Sequence, residues 1–447
     1  MTYKIWHFFL LQGLVASAFI ASDGKAAPMD LSLGEAHNQA LAHNQQLEAA
    51  QKGVDEAHAA KRQTWAGHLP QISLSEQVVR SNDAVNAFGF KLKQESFTQA
   101  DFALDALNKP GAVSNFQTTF NVRQPLYNGG QAIYGRRQAS AAVKATQAQL
   151  VRHRQETVLQ TSQAYWGLVL AQEILKAVRQ GLKTAQAHAK MAQAHYEQQL
   201  APLTDLLAAQ VRVAELKNEE IAAVYRIGDA EDGLSLVMGL EPTAFTTTDH
   251  LQPISVDLPL AELEAIARQQ RPDLAAMHQQ VEAVRQGVKV ERAAYLPHLN
   301  AFAQVDLDAD APFARQGESW MVGAVVTWNL FSGFRTVGAI QEAKARQAQA
   351  KAQLSFLQQE IGRQVRRAHR ALSATQSQIH VAREALDQAQ ERQRISKLQY
   401  EEGLITATDL LAAETAQTRT HLRLLQALHT LNVGFAQLEF AVGEKLQ

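Results

Sequence analysis

Two copies of one acidic motif are the first candidates for chemistry. Leu203-Thr-Asp-Leu-Leu-Ala-Ala209 and Ala407-Thr-Asp-Leu-Leu-Ala-Ala413 each place an aspartate, Asp205 or Asp409, at the start of an alanine-rich run. Aspartate there can cap a helix and complement the positive end of its dipole. Among the 15 histidines, His188 and His195 lie seven apart on one helical face, and no His-Glu-x-x-His pattern occurs. No metal site is expected. Arg363-Gln-Val-Arg-Arg-Ala-His-Arg370 is a basic patch on a helix. It reads as a solvated or lumen-facing surface, or as an attractor of anionic substrate. With no glycine-rich phosphate loop and no nucleophile elbow, nothing points to a catalytic centre or a cofactor. Cysteine is absent, which excludes disulfides, thiol catalysis, Cys-ligated zinc and lipidation on an N-terminal cysteine.

The elements that must carry these residues follow from composition. The chain has 447 residues, 46% of them hydrophobic, with 43 Lys+Arg against 44 Asp+Glu. A net charge of −1 argues against a nucleic-acid partner and against a polybasic membrane-surface protein. Glycine (24) and proline (11) are sparse, which disfavours an all-β chain. Alanine and glutamine abound, as in long helices. At the N-terminus Lys4 precedes an apolar stretch from Ile5 to Ile20, and Gly24-Lys25-Ala26 offers a small-x-small cleavage site. Residues 1–26 are therefore expected to be a secretory signal peptide. No later stretch reaches 18 apolar residues.

Self-similarity organises the rest. Leu31-Ser-Leu-Gly-Glu-Ala36 and Leu69-Pro70 recur 227 residues later as Leu258-Pro-Leu-Ala-Glu-Leu263 and Leu296-Pro297. Gln124-Pro-Leu-Tyr-Asn-Gly129 and the Asp205 motif recur 204 residues later as Trp328-Asn-Leu-Phe-Ser-Gly333 and the Asp409 motif. Collinear matches at constant offset identify a tandem duplication. The first repeat carries an insertion between Pro70 and Leu126, placed at Asp83 to Asn115.

Each repeat reads helix, strand, loop, strand, long helix, turn, helix. The stretches from Gly130 to about Leu200 and from Gly333 to about Tyr400 predict helices spanning about 100 Å. Shorter helices are expected near 31–67 and 203–239. Leu424, Leu428, Leu431, Phe435, Leu438 and Val442 keep a coiled-coil spacing, matched in the first repeat by Val224, Ile227, Leu234 and Met238 with Glu231 interrupting. Strands are expected at 71–79, 116–123, 299–308 and 320–330, each apolar on one face, with Glu76 breaking that face in the first. Trp320 and Trp328 near the strand ends resemble an aromatic girdle. Taken alone, such strands could equally form a small sheet packed on helices. A lipid-facing reading requires self-association. Four strands cannot close a barrel, and an open edge in lipid leaves unpaired backbone groups. Two copies would give eight strands and three copies twelve.

Together these features resemble the TolC-type outer-membrane efflux factors over roughly 29–443. The paired Leu-Pro steps, the strand-to-helix exits Gln124–Gly130 and Trp328–Gly333, and the two Thr-Asp-Leu tips carry the resemblance. It implies a mainly α chain with a membrane β part. Duplicated long-helix/β-hairpin repeats would form a trimeric helical tunnel and a 12-stranded β-barrel, four strands per chain. The segments would be helical tunnel at 29–68, 129–239 (with the first periplasmic hairpin), 260–295 and 333–443 (with the second). Barrel strands would lie at 69–128, with the long external loop, and at 296–332, and an equatorial connector at 240–259. The resemblance also implies an outer-membrane, periplasm-spanning location, and a homotrimer contacting outer-membrane lipid, a periplasmic adaptor (membrane fusion protein) and an inner-membrane pump. In this reading the protein is a passive exit duct for efflux or type I secretion, with no enzyme activity and no nucleic acid.

Residue by residue, the resemblance places Asp409 and Asp205 at the pore constriction and makes Tyr400 and Thr204 part of a tip latch, Asp205 bonding Tyr400. Gly403, Leu404, Ile405 and Thr406 would dock the adaptor. Ala412 stands where some members carry a second ring aspartate, and Ile405 where some carry a locking arginine. The first tip has Gln199 in place of the glycine, and Pro202. A periplasmic coiled-coil adaptor or a helical binding protein are the alternatives. An adaptor should show one hairpin flanked by β-rich segments.

Overall fold

The computed structural model describes residues 29–255 and 258–446; the expected signal peptide lies outside them. β1 (Met29–Leu31) leads into α1 (Leu33–His43) and α2 (Gln45–Gln63), then β2 (Gln71–Ser81). The insertion folds into α3 (Ala84–Lys93) and α4 (Leu104–Asn108) before β3 (Val113–Asn128). α5 (Gln131–Glu197) and α6 (Leu203–Met238) form the first hairpin, followed by β4 (Phe245–Thr247). The second repeat runs α7 (Leu260–Gln270), α8 (Pro272–Ala293), β5 (His298–Ala309), β6 (Gly317–Thr327), α9 (Arg335–Glu401) and α10 (Ala407–Val442). α5 and α9 have 67 residues each, α6 and α10 have 36 each, and both pairs keep the offset of 204. At 1.5 Å per residue the long helices are about 100 Å.

The helices expected as continuous over 31–67 and its repeat are broken. Asn44 and Arg271, at equivalent positions, are extended (ψ 119 and 120) and separate α1 from α2 and α7 from α8. Pro272 explains the second break, because the residue before proline is pushed out of the helical region. In the first, Asn44 caps α2 by accepting from Leu47 N at 2.9 Å.

The helices pack side by side as a strip. α5 touches α2, α6, α8 and α10, and α9 touches α8 and α10, whereas α2 and α6 make no substantial contact with α9. The strip therefore has two open edges, α2 with α6 on one side and α9 on the other. The α10 seam is buried as its spacing predicts, with Leu428, Leu431, Phe435, Leu438 and Val442 in one core with Ile361, Val365 and Leu372 of α9. The α6 seam is only half realised. Leu234 and Met238 are buried, but Val224 is exposed beside Ile221 and Tyr225. An edge helix has a partner on one flank only, so its second apolar stripe stays open.

The sheet order is β2-β3-β5-β6, antiparallel throughout. Register puts the expected apolar residues on one face. Leu74, Phe120, Val305 and Trp320 form one cross-strand row, and Ile72, Val122, Ala303 and Val322 the next. The opposite face is mainly polar, with Phe302, Met321 and Val325 among its apolar residues. Ser75, Thr119, Asp306 and Ser319 form a row in which Thr119 donates to Asp306 at 2.6 Å. β3 continues past the expected 116–123 to Asn128, with a register shift at Pro125, where the missing N–H breaks the ladder. β6 ends at Thr327, so Trp328 lies just outside it, its indole N–H donating to the Tyr295 carbonyl at 3.0 Å.

Where the two halves meet, β1 pairs in parallel with β4. Tyr165 donates to Asp249 at 2.7 Å, and Asp249 also accepts from Leu33 N at 2.8 Å. In the second repeat the buried Arg271 bonds Asp273, the Gln364 side chain (2.8 Å) and the Ala441 carbonyl (3.1 Å). Burial alone would raise the Asp273 carboxyl, but the Arg271 guanidinium outweighs it and holds the group below its ordinary value. Asn44 does the matching work in the first repeat, donating to the Val237 carbonyl at 2.8 Å.

Candidate functional site

The candidate site is the pair of hairpin tips. α5 and α6, and likewise α9 and α10, are joined by five residues, 198–202 and 402–406. Gly403 is left-handed (φ +71) and closes the second tip: its N–H donates to the Tyr400 carbonyl at 3.0 Å, and Leu404 N to Gln399 O at 2.8 Å. The first tip copies this closure with Gln199 (φ +59) in the glycine position, Gln199 N donating to Tyr196 O and Leu200 N to His195 O. A glutamine held left-handed is strained where glycine is not. Leu200 and Leu404, at equivalent positions, are among the most exposed leucines, at 72% and 73%. They project as apolar knobs from the two tips, while Ile405 turns inward and is partly buried.

The two aspartates differ in a way their identical motifs hide. Asp409 is exposed and completes a capping box. Its carboxylate accepts from the Thr406 hydroxyl at 2.8 Å and the Thr406 N–H at 3.3 Å, while Asp409 N–H donates to Thr406 Oγ1 at 3.2 Å. α6 begins after Pro202, which has no hydroxyl, so Asp205 has no such box and sits half-buried one turn in. Thr204 is exposed beside it.

The Asp205–Tyr400 bond is not made. The Tyr400 hydroxyl is buried and has no hydrogen-bond partner among the described residues. Burial, and after it the Asp205 charge, raises the phenol above its ordinary value. The ring is held by packing instead, against Met191, Ile405, Ala407 and Leu410, with the His195 ring 6.1 Å away. The apolar side of the second tip claims the tyrosine before the carboxylate can.

Further from the tip, His188 of α5 places Nε2 2.8 Å from Glu414 Oε1 of α10, both nearly buried. In the sequence Glu414 stands out only as a lone carboxylate inside the alanine-rich run that opens α10. His188 is thus a packed residue, and no cluster of metal-ligating side chains occurs among the described residues. In the basic patch, Arg363 pairs with Glu360 and Arg366 with Glu264. All four arginines of the patch are exposed, and Arg367 and Arg370 make no ion pair among the described residues, so the face keeps a net positive charge. No nucleophile, base and oxyanion donor converge at the tips. What the arrangement offers is two tips that each carry a carboxylate near the turn and an exposed apolar knob.

The profile of the outer membrane efflux protein family matches residues 36–240 and 265–444. The chain belongs to the outer membrane efflux protein family. The chain is similar to the alkaline protease secretion protein AprF of Pseudomonas aeruginosa, 23% identical over 427 residues (92% of this chain, 84% of the relative). It is similar to the outer membrane protein TolC of Vibrio cholerae, 21% identical over 430 residues (92% and 90%). The fold matches the CmeC outer membrane channel of Campylobacter jejuni with a TM-score of 0.78 at 16% identity, covering 92% of this chain and 85% of that one. Membership makes this an outer-membrane efflux protein of the TolC type, reaching into the periplasm, and not an enzyme. The adaptor alternative is excluded by this membership and by the fold: among the described residues two helical hairpins accompany one four-stranded sheet, with no β-rich segments beside a single hairpin. No described helix is long and apolar enough to cross a membrane.

Proposed function

We propose that three copies of this chain close into one exit duct, a 12-stranded barrel continued by a helical tunnel. Substrate enters at the hairpin tips from an inner-membrane pump and a periplasmic adaptor. The observation that carries this reading is the pair of matched open edges. Among the described residues β2 and β6 have no outer partner, and they carry exposed Ile72, Leu74, Trp320 and Val322 on the apolar face. An unpaired edge in hydrocarbon costs several kcal/mol per backbone group, so β6 of one copy must meet β2 of the next. The helical strip supports the same closure. Exposed Phe356 and Val381 of α9 lie on one open edge and Ile221 and Tyr225 of α6 on the other.

In this reading the polar face of the sheet lines the lumen, and Asp409, with Asp205 behind it, forms the constriction at the periplasmic end. Gly403, Leu404, Ile405 and Thr406 form the adaptor-docking tip, with Leu404 as its apolar contact. Tyr400 and Thr204 secure the tip, Tyr400 by packing. Relatives bear names of both efflux and protease secretion proteins, and the chemistry of the tips favours neither cargo.

The test uses the absence of cysteine. A cysteine at Met321 on β6, paired in turn with cysteines at Gln71, Ser73, Ser75 and Gln77 along the same face of β2 because barrel closure staggers the register between copies, should in one of these pairings crosslink copies into a covalent trimer in detergent-extracted outer membranes. Recovery as a soluble monomer without detergent, or a ladder ending at dimer, would overturn it.

A further inference from the structure

The insertion between β2 and β3 does not stand away from the sheet. It bends over the polar face at the external end. The parity of the strands proves the side: Gln117, Asp308 and Gly317 share one cross-strand row of that face. A Cβ built on Gly317 would lie 1.8 Å from the Lys93 carbonyl oxygen at the end of α3. Only glycine lets the α3 backbone settle this closely. One residue on, Gln94 is 5% exposed. Its amide Nε2 donates to the Ser114 carbonyl (2.7 Å), Asn115 Oδ1 (2.8 Å) and the Ala309 carbonyl (3.2 Å). Asn115, also buried, donates to Asp308 Oδ1 at 2.5 Å. The end of α3 thus spans β3, β5 and β6.

The rest of the insertion is built to hold this pose. Asp83 caps α3 by accepting from Asn86 N at 3.0 Å. Phe97 stacks edge-on between Phe88 (4.6 Å) and Phe102 (5.1 Å), and Lys91 pairs with Asp101. A connection needed only to join two strands would require a few residues and no buried polar network.

We infer that this insertion is an inward-folded constriction at the external mouth of the duct, which sets the size of solute that passes there, with Gln94 as the positioning residue that latches it and Gly317 as its seat. The inference rests on the proposed reading in which the polar face lines a lumen. Three copies would bring three α3 ends into one mouth, so the duct would narrow at both ends, with the external narrowing independent of the tips.

The test reads access from outside, so the state of the periplasmic tips does not enter. Asn121→Cys places a single thiol on the polar face deeper than Asn115, and Ala106→Cys, in a separate protein, places one in the exposed part of the insertion. Intact cells displaying the full chain are treated with a small maleimide and with a polymer-linked maleimide. The small reagent should modify both thiols. The polymer reagent should modify the Asn121→Cys thiol at least about tenfold more slowly than the Ala106→Cys thiol, the ratio set by opening a buried hydrogen-bonded contact. Adding Gln94→Ala, or Gly317→Val from the opposite side of the contact, should remove that difference while trimer crosslinking and Ala106→Cys labelling stay unchanged. Equal polymer rates at the two thiols in the otherwise unaltered protein would overturn the inference. So would a slow rate that neither substitution relieves, because the barrier would then lie elsewhere. Failure of the small reagent at Asn121→Cys alone would overturn the lumen reading itself, and this inference with it.

Discussion

Asp409 carries two roles that can be separated. Its carboxylate completes the capping box with Thr406, and in the proposed trimer it faces two copies of itself. Asp409→Asn keeps an oxygen that can accept from Thr406 and loses the charge. The loss to the helix is the charge–dipole part, about 0.3–1 kcal/mol. Thr406→Ala does the reverse, removing the cap at about 0.5–2 kcal/mol while leaving the charge. At the constriction, three carboxylates about 6 Å apart repel by about 0.7–3 kcal/mol per pair for effective dielectric constants of about 80–20. A multivalent cation relieves all three repulsions and so lodges in the opening. Single-channel recording in lipid bilayers with a multivalent cation on the periplasmic side is the assay. Asp409→Asn should weaken cation block at least about tenfold, which is only 1.4 kcal/mol, with little change in thermal unfolding. Thr406→Ala should keep the block and lower protection of the α10 N-terminus in hydrogen exchange. Undiminished block in Asp409→Asn would refute the placement of the constriction.

Gln199→Gly should stabilise the first tip by about 1 kcal/mol, and Gly403→Ala should destabilise the second by a similar amount; denaturant unfolding or tip hydrogen exchange reads both, and a destabilised Gln199→Gly would contradict the strain argument. Tyr400→Phe removes a buried hydroxyl that bonds nothing, so stability should hold or rise by about 1 kcal/mol; a large loss would reveal a hydroxyl partner in the assembled protein. Arg271→Met removes the donor to the Ala441 carbonyl and leaves Asp273 only the Leu274 N–H and the more distant Arg152, and should cost about 1.5–3 kcal/mol in thermal unfolding, whereas Arg363→Met, on an exposed pair, should leave thermal unfolding nearly unchanged. Burial, aided by Lys445, lowers the His37 imidazole to about 4, and its Nε2 lies 2.8 Å from Ser162 Oγ. Because the folded value lies below the unfolded one, the unfolded chain takes up the proton first, and stability is lost as pH falls from about 6.5 towards 4, by about 2 kcal/mol after allowing for screening. His37→Gln should flatten that part of the stability–pH curve, and an unchanged curve would show that His37 titrates alike in the folded and the unfolded chain.

The duplication, the long helices and the apolar strand faces were legible in the sequence alone, because each depends on a period or an offset that residue types carry directly. The α10 seam and the polar and apolar rows of the sheet follow from spacing of 3.5 and 2 once the partner element exists. The same repeats show where such reading stops. Gly130 and Phe334 occupy equivalent positions and are both left-handed, as are Gly403 and Gln199. At these points the packed hairpins impose a backbone that only one residue of each pair prefers, so residue type no longer reports conformation. The two Thr-Asp-Leu motifs are identical, yet only Asp409 caps, because the residue that starts the helix is Thr406 in one repeat and Pro202 in the other. Asn44 and Arg271 share no chemistry beyond a donor N–H, and both reach the same carbonyl of equivalent helices. The bond from Asp205 to Tyr400, the exposure of Val224 and the inward fold of α3 were likewise decided by tertiary structure. In each, the outcome depends on which of several possible partners lies nearest in space, and distance between elements is not written in the order of residues along one of them.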